Sequence, residues 1–253
     1  MGNFRPKPDK NTEQMVFGMR PVIEAVNAGK EVENLLIQNN LQGENCSELM
    51  RILKHKGQRF QRVPIEKLNR LTRGNHQGVV CFISPISYTN LEDILPFVYE
   101  KGKDPLIVLL DGITDVRNFG AIARTAECAG VDGLVIPEKG GARVTADAIK
   151  TSAGALSKMP VCKTKSIESS IRLLQDSGVQ VVACSEKGEK VLYDIEFNKP
   201  TALIIGAEDT GVSGSCLNLA DEVVRIPILC EIESLNVSVA SGVVIYEVLR
   251  QRS

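Results

Sequence analysis

Five polar residues stand where apolar stretches of this sequence give out, and their types suit the holding of anions and hydroxyls. They are Asn118 and Arg124 in "NFGAIARTAECAG", Glu208 in "GAEDTG", and Ser234 and Asn236 in "ESLNVSVASG". Arg124 is flanked by Ala121, Ala123, Ala126 and Ala129, so tight packing is expected around a guanidinium, the group best shaped for a bidentate grip on phosphate. A plain surface arginine is the alternative. Asn118 is placed to cap the helix it begins, and Gly120 permits close backbone approach in the first turn. Glu208 either caps the next helix or accepts hydrogen bonds from a ligand's amine or hydroxyl. Ser234 can cap the last helix, where small polar residues offer donors and acceptors beside the positive end of the dipole.

Other chemistries are excluded by what is missing. The chain has two histidines, His55 and His76, so nothing beyond residue 76 can use imidazole. A Ser-His-Asp triad or a His-liganded metal in the last two-thirds is ruled out. The seven cysteines, at 46, 81, 128, 162, 184, 216 and 230, form no C-x-x-C and sit mostly in apolar segments, as buried thiols in a reducing cytoplasm do. No G-x-G-x-x-G or Walker A sequence follows a strand. No apolar run reaches the length of a membrane span, and the start "MGNFRPKPDKNTEQ" has no signal-peptide core and Pro6 where myristoylation needs Ser or Thr. A soluble cytoplasmic protein with a disordered tail over 1–14 is expected.

The elements that must position the five residues follow from periodicity. From 105 onward, apolar strands ("PLIVLLDG", "DGLVIP", "VQVVACS", "TALIIG", "EVVRIP") alternate with helices ("NFGAIARTAECAG", "SIESSIRLLQDSG" and the C-terminal segment). That pattern predicts a mostly parallel sheet covered on both faces, with ligands at the carboxyl ends of the strands. Residues 15–84 read as a smaller α/β unit: helices over 17–29, 45–57 and 65–72, and strands over 32–38, 59–64 and 78–84. Pro96, Gly102 and Pro105 mark 85–104 as a linker with a helical middle. The segment 233–249 is ambiguous: residues 234–239 alternate as a strand does, yet Leu235, Val239, Gly242, Tyr246 and Leu249 share one helical face, which from Val239 onward is expected to be packed.

Charge divides the same way. Residues 1–84 carry 13 Lys and Arg against 8 Asp and Glu, a net of +5, and residues 85–253 carry 17 against 23, a net of −6. The stretch 51–73 holds eight basic residues opposed by Glu66 alone. A solvated helix face would explain it; so would a polyanion-binding surface acting by counterion release.

Taken together and in this order, "NFGAIARTAECAG", "GAEDTG" and "IPILCEIESLNVSVASG" closely resemble the three signature motifs of the SpoU/TrmH family of RNA ribose methyltransferases. The resemblance covers 105–253. "VFGMRPVIEAV" and "RGNHQGVV" look like the ends of the N-terminal substrate-binding domain in the branch that methylates guanosine in 23S ribosomal RNA. It implies a C-terminal segment threaded into a trefoil knot, a homodimer with sites at its interface, no metal, and methyl transfer from S-adenosylmethionine to a ribose 2′-hydroxyl. By motif position, Gly206, Ala207, Gly211, Ile226, Ile228 and Leu235 would hold the cofactor. Asn118, Arg124, Glu208, Ser234 and Asn236 would surround the reacting atoms. The N-terminal unit would bind large-subunit ribosomal RNA or its assembly intermediate through Arg59, Arg62, Arg70 and Arg73, with His76 and Gln77 contacting RNA or forming a structural turn. Transfer RNA as substrate, or a catalytically silent RNA-binding relative, are the competing readings. Val116 replaces a common Pro, Ile228 a frequent Met, and Glu233 a small residue.

Overall fold

The computed structural model describes residues 15–229 and 234–253, which divide into two compact units, one through Ser87 and one from Tyr88. The expected tail over 1–14, Cys230 and Glu233 lie outside the described residues, as does the threading of the C-terminal segment where it passes through 230–233.

The first unit runs β1 (Met15–Phe17), α1 (Met19–Asn27), β2 (Val32–Gln38), α2 (Glu44–His55), β3 (Gln61–Val63), α3 (Ile65–Leu71) and β4 (Val79–Ile83). Its sheet has the order β1-β4-β2-β3, antiparallel except for the β2–β3 pair. Helices α1 and α2 bury Val22, Ile23, Val26, Leu49 and Leu53 against Leu35, Ile37, Val79 and Cys81. β1 is the departure from the sequence reading, which began the unit with a helix at residue 17. Three half-buried residues carry too little periodicity to announce a strand, and it exists through its pairing with β4.

The second unit contains α4 (Leu91–Glu100), β5 (Leu106–Asp111), α5 (Val116–Cys128), β6 (Gly133–Pro137), α6 (Ala146–Thr151), β7 (Val161–Thr164), α7 (Ile167–Asp176), β8 (Gln180–Cys184), β9 (Lys190–Val191), β10 (Thr201–Gly206), α8 (Gly214–Leu219), β11 (Glu222–Arg225) and α9 (Val237–Arg252). Its seven strands pair in the order β7-β6-β5-β10-β8-β11-β9, every pair parallel. The continuous apolar runs of β5 and β10 are explained by burial on both faces. The linker expectation for 85–104 does not hold as drawn. Its helical middle is present as α4, but Leu91, Ile94, Leu95 and Val98 enter the same core as Ile107, Leu109, Val135 and Ile204, so the segment is part of the second unit.

Strand direction of travel reverses between β5 and β10. The chain moves outward from β5 to β6 and β7, then fills the other side, so loops after β5 and β10 diverge and leave a crevice at their carboxyl ends. Gly206 pairs with Asp111, which sets those two ends level.

Helix α9 is anchored at its far end. Gln251 accepts from the Phe197 amide (2.9 Å) and donates to the Ile195 carbonyl (3.0 Å), while Arg252 donates to the carbonyls of Phe197 (3.0 Å) and Asp104 (2.8 Å). Buried Glu247 orients this end, accepting from Arg250 Nη2 (2.7 Å) and Gln251 Nε2 (2.7 Å). The Arg250 hydrogen bond, helped by that from Gln251, holds the Glu247 carboxyl below its ordinary range. A lowered carboxyl stabilises the fold above its unfolded-state value, and that contribution is lost as pH falls through the lowered one. Glu247→Gln is therefore expected to lower Tm at neutral pH, with the gap to the parent closing in acid. Thermal melts across that range check it; a gap independent of pH would refute the role of the charge.

Candidate functional site at the sheet's carboxyl edge

The site begins with a turn too tight for a side chain. After β10 the chain folds back at once: the Gly211 amide donates to the Ala207 carbonyl (2.9 Å), and these two residues form an antiparallel bridge. A Cβ on Gly206 would lie 2.1 Å from the Gly211 carbonyl carbon and the Val212 nitrogen, and Gly211 itself has φ +67°. Gly206 is required by backbone contact and Gly211 by its left-handed φ. The Ser213 amide donates to Asp111 Oδ2 (2.8 Å), tying the returning loop to the end of β5.

This loop projects Glu208 toward two other segments. Asn118 Nδ2 donates to Glu208 Oε2 (3.0 Å), and Asn236 Nδ2 donates to Glu208 Oε1 (3.3 Å) and to Asn118 Oδ1 (3.2 Å). Three residues from three loops thus close one hydrogen-bonded ring. Asn236 is oriented from behind, because its Oδ1 accepts from the Ser238 amide (3.0 Å) and hydroxyl (2.6 Å).

Two caps differ from those the sequence suggested. Asp115, not Asn118, caps α5, its Oδ1 accepting from the amides of Arg117 (2.9 Å) and Asn118 (2.8 Å). Asn118 lies inside the first turn, and its side chain is released to face Glu208. Asn236, not Ser234, caps α9. In both places two cap-competent residues lie close together, and spacing alone does not choose between them. Gly120 has the close approach foreseen for it, since a Cβ there would lie 2.7 Å from Thr151 Cβ of α6.

Two hollows meet at this ring. One, of about 450 Å³, is walled by Ile205, Ile226, Leu235 and Val244 and floored by the 206–211 loop. All six residues expected at a cofactor, Gly206, Ala207, Gly211, Ile226, Ile228 and Leu235, line it, as do Glu208 and Ser234. The other, of about 380 Å³, is bounded by Gly112–Asp115 and Asn118. Ala207, Glu208, Asp209 and Val237 belong to both.

The sequence reading missed the wall formed by Cys184, Ser185, Glu186 and Lys187 after β8. "VVACSEKGE" is a strand end followed by polar residues like the three singled out, and that signal was available. Arg225 holds this wall by donating to the carbonyls of Gly188 (2.7 Å) and Glu189 (2.8 Å). Burial pushes the Cys184 thiol up to about 12, so it lines the hollow as a neutral group.

Arg124 is not brought to the ring. Six residues put it roughly 9 Å along α5 and roughly 240° around from Asn118. It is exposed and makes no hydrogen bond or ion pair among the described residues. In the first unit, His76 is 8% exposed and serves a turn: its Nδ1 accepts from the Gly78 amide (3.0 Å), leaving Nε2–H for Asn69 Oδ1 (2.8 Å). Gln77 Oε1 accepts from the Met19 amide (3.0 Å) at the start of α1. Arg62 donates to the Gln38 carbonyl (2.9 Å), while Arg59, Arg70 and Arg73 are exposed.

A parallel α/β sheet whose carboxyl-edge crevice is ringed by Asn, Glu and Asn defines a class, and comparison with known proteins gives it a family. The profile "SpoU rRNA Methylase family" matches residues 105–246, and "RNA 2'-O ribose methyltransferase substrate binding" matches 15–89. The chain belongs to the SpoU family of RNA methyltransferases. It is 34% identical over 250 residues, 98% of this chain and 80% of the other, to a Mycobacterium sp. (strain KMS) protein described as an "uncharacterized tRNA/rRNA methyltransferase". The SpoU methyltransferase AviRb of Streptomyces viridochromogenes, solved in complex with the cofactor AdoMet, superposes with a TM-score of 0.60 at 27% identity, over 94% of this chain and 90% of that one. An AdoMet-bound rRNA methyltransferase of Sinorhizobium meliloti gives a TM-score of 0.60 at 26% identity, over 93% and 86%.

Gly206→Ala forces the 206–212 backbone apart. Overpacking of this kind is expected to cost about 1–3 kcal/mol, and amide hydrogen exchange over 207–212 should accelerate. Gly214→Ala, where a Cβ meets nothing within 4 Å, is the matched control. Equal melting temperatures for the two variants would overturn the account of the turn.

Proposed function

We propose that this chain transfers the methyl group of S-adenosylmethionine to the ribose 2′-hydroxyl of a guanosine in 23S ribosomal RNA. The observation that carries the reading is the Asn118–Glu208–Asn236 ring at the junction of two hollows, in a chain whose relatives bind AdoMet. The larger hollow suits that cofactor: apolar walls for an adenine ring, backbone polar groups of the 206–211 loop for its edge, and Glu186, Glu208 and Asp209 to complement a cation. When bound there, the cofactor supplies an electrophilic methyl on a sulfonium.

The residues supply placement. Glu208 accepts a hydrogen bond from the ribose hydroxyl, fixes where its oxygen points and relays its proton to solvent as the new C–O bond forms, with Asn118 and Asn236 holding the carboxylate still. Ser234 lines the cofactor side. With the electrophile already reactive, alignment is worth more than acid–base assistance. Arg124 grips the neighbouring phosphate and stabilises negative charge building on the oxygen, since a guanidinium keeps its proton and is a poor base. In the first unit, Arg59, Arg70 and Arg73 contact RNA phosphates, with Arg62 beside them.

The reading includes a homodimer. Val239 and Tyr246 of α9 are 53% and 48% exposed, although the sequence pattern had marked their stripe as the packed face. The buried residues of α9 are instead Val237, Ser241, Val244, Ile245, Glu247 and Val248. Half-buried Gly242, between Val239 and Tyr246 on the stripe, faces α5: a Cβ there would lie 3.7 Å from Thr125, the residue after Arg124. A second copy seated on this stripe brings Arg124 to the interface. Tyr246→Glu is expected to sediment as a monomer where the parent sediments as a dimer. A dimeric variant would exclude this face.

Mapping 2′-O-methyl groups in RNA from cells lacking the gene tests the substrate. One guanosine of 23S RNA should lose its methyl and regain it on complementation; loss in transfer RNA instead would overturn the assignment. Complementation with Arg124→Lys should restore a measurable fraction, and with Arg124→Ala none. Equal, complete failure of both would count against the electrostatic role.

A further inference from the structure

One surface of the first unit has a shape that phosphate binding alone does not explain. The C-terminal half of α2 and the residues leading into β3 border a hollow of about 570 Å³, lined by Met50, Arg51, Leu53, Lys54, Gln58 and Phe60. Its floor is apolar: Leu53 belongs to the unit's core, and Met50 and Phe60 are half-buried against that core. Its rim is cationic, with Arg51 and Lys54 exposed and no acidic residue between Glu48 and Glu66. Gly57, at φ +62° with no atom within 4 Å of a Cβ, leaves the mouth open.

Arg62 sets the aromatic wall. Its guanidinium carbon lies 5.8 Å from the Phe60 ring centroid, while Nη1 is tied to the Gln38 carbonyl (2.9 Å) and Nη2 reaches Met50 Sδ (3.9 Å). It thus acts as a positioning residue for the ring. Lys56 turns elsewhere, donating to the carbonyls of Val26 (2.6 Å) and Asn27 (3.2 Å) at the end of α1. The cations left to the rim are Arg51 and Lys54, on adjacent turns of α2.

We propose that this hollow seats one unpaired nucleobase of the RNA substrate against Phe60, with Arg51 and Lys54 holding the phosphates on either side. The proposal rests on RNA being the substrate and adds what part of it is recognised here. Paired RNA presents sugar and phosphate, whereas a splayed base offers a π-face that an aromatic ring and an apolar floor take out of water. A purely phosphate-binding surface has no use for an apolar floor, and the basic rim fits a polyanion.

The chain has no tryptophan, so Phe60→Trp installs its sole indole at the seat. Full-length Phe60→Trp is titrated with poly(U), an unstacked single strand, and with poly(A)·poly(U) duplex at equal phosphate concentration. Anisotropy of labelled polymer reports binding to parent and variants. Poly(U) should quench the indole roughly twofold or more while duplex, bound through its backbone, leaves it bright. Phe60→Ala should weaken poly(U) binding about tenfold and leave duplex binding unchanged, with Phe60→Trp retaining the parent's affinity. Equal quenching by both polymers, or unchanged poly(U) affinity in Phe60→Ala, would overturn the seat while leaving the methyltransferase reading intact. A parent chain that binds neither polymer would overturn both. If Phe60→Ala fails to fold, the quenching experiment decides alone.

Discussion

The level ends of β5 and β10 are the constraint from which the second unit's geometry follows. With Gly206 opposite Asp111, loops leaving two neighbouring strands start from the same height and diverge. The 207–213 loop cannot wander, because Gly206 lets the returning backbone cross it and Asp111 takes the Ser213 amide. Glu208 is thereby held at a fixed point above the crevice. Asn118 and Asn236, 118 residues apart, meet there because Glu208 gives each of them an acceptor.

The division of labour between interior and edge is sharp. Stability resides in strands buried on both faces, where Ile107, Leu109, Val135 and Ile204 exclude water. The ring residues are polar, reachable by solvent and outside that core. Asn236 serves both ends, since the carbonyl that caps α9 also fixes which way its amide points. A helix terminus and the donor that meets Glu208 are thus set by one side chain.

Much of this was legible in the residues, for identifiable reasons. Long apolar runs announced β5 and β10 because burial on both faces demands them. The polar residues at strand ends found the crevice because strands of a parallel sheet must stop somewhere. What escaped had physical causes. β1 and β9 are two or three residues long and exist through pairing. Pro96 and Gly102 made 85–104 look like a linker, so the helix foreseen in its middle was not assigned to the core that Leu91, Ile94, Leu95 and Val98 enter. The face of α9 was misassigned because Val239 and Tyr246 keep helical spacing while pointing outward, and the buried side includes Ser241 and Glu247, satisfied by hydrogen bonds no spacing reveals. Arg124's distance from Asn118 followed from helix geometry, yet motif position had grouped them.

The strand order also bears on synthesis. β8 pairs only with β10 and β11, and both follow it in the chain. During translation β7, β6 and β5 can assemble as residues emerge, but Gln180–Cys184 leaves the ribosome with neither neighbour yet made. It stays an unpaired, apolar segment until β10 joins it to β5, after which β11 and β9 complete the edge beyond it. Such a late, long-range closure makes a slow folder with an aggregation-prone interval. The crevice forms in that same closing event, so no nascent chain can possess these two hollows before its sheet is whole.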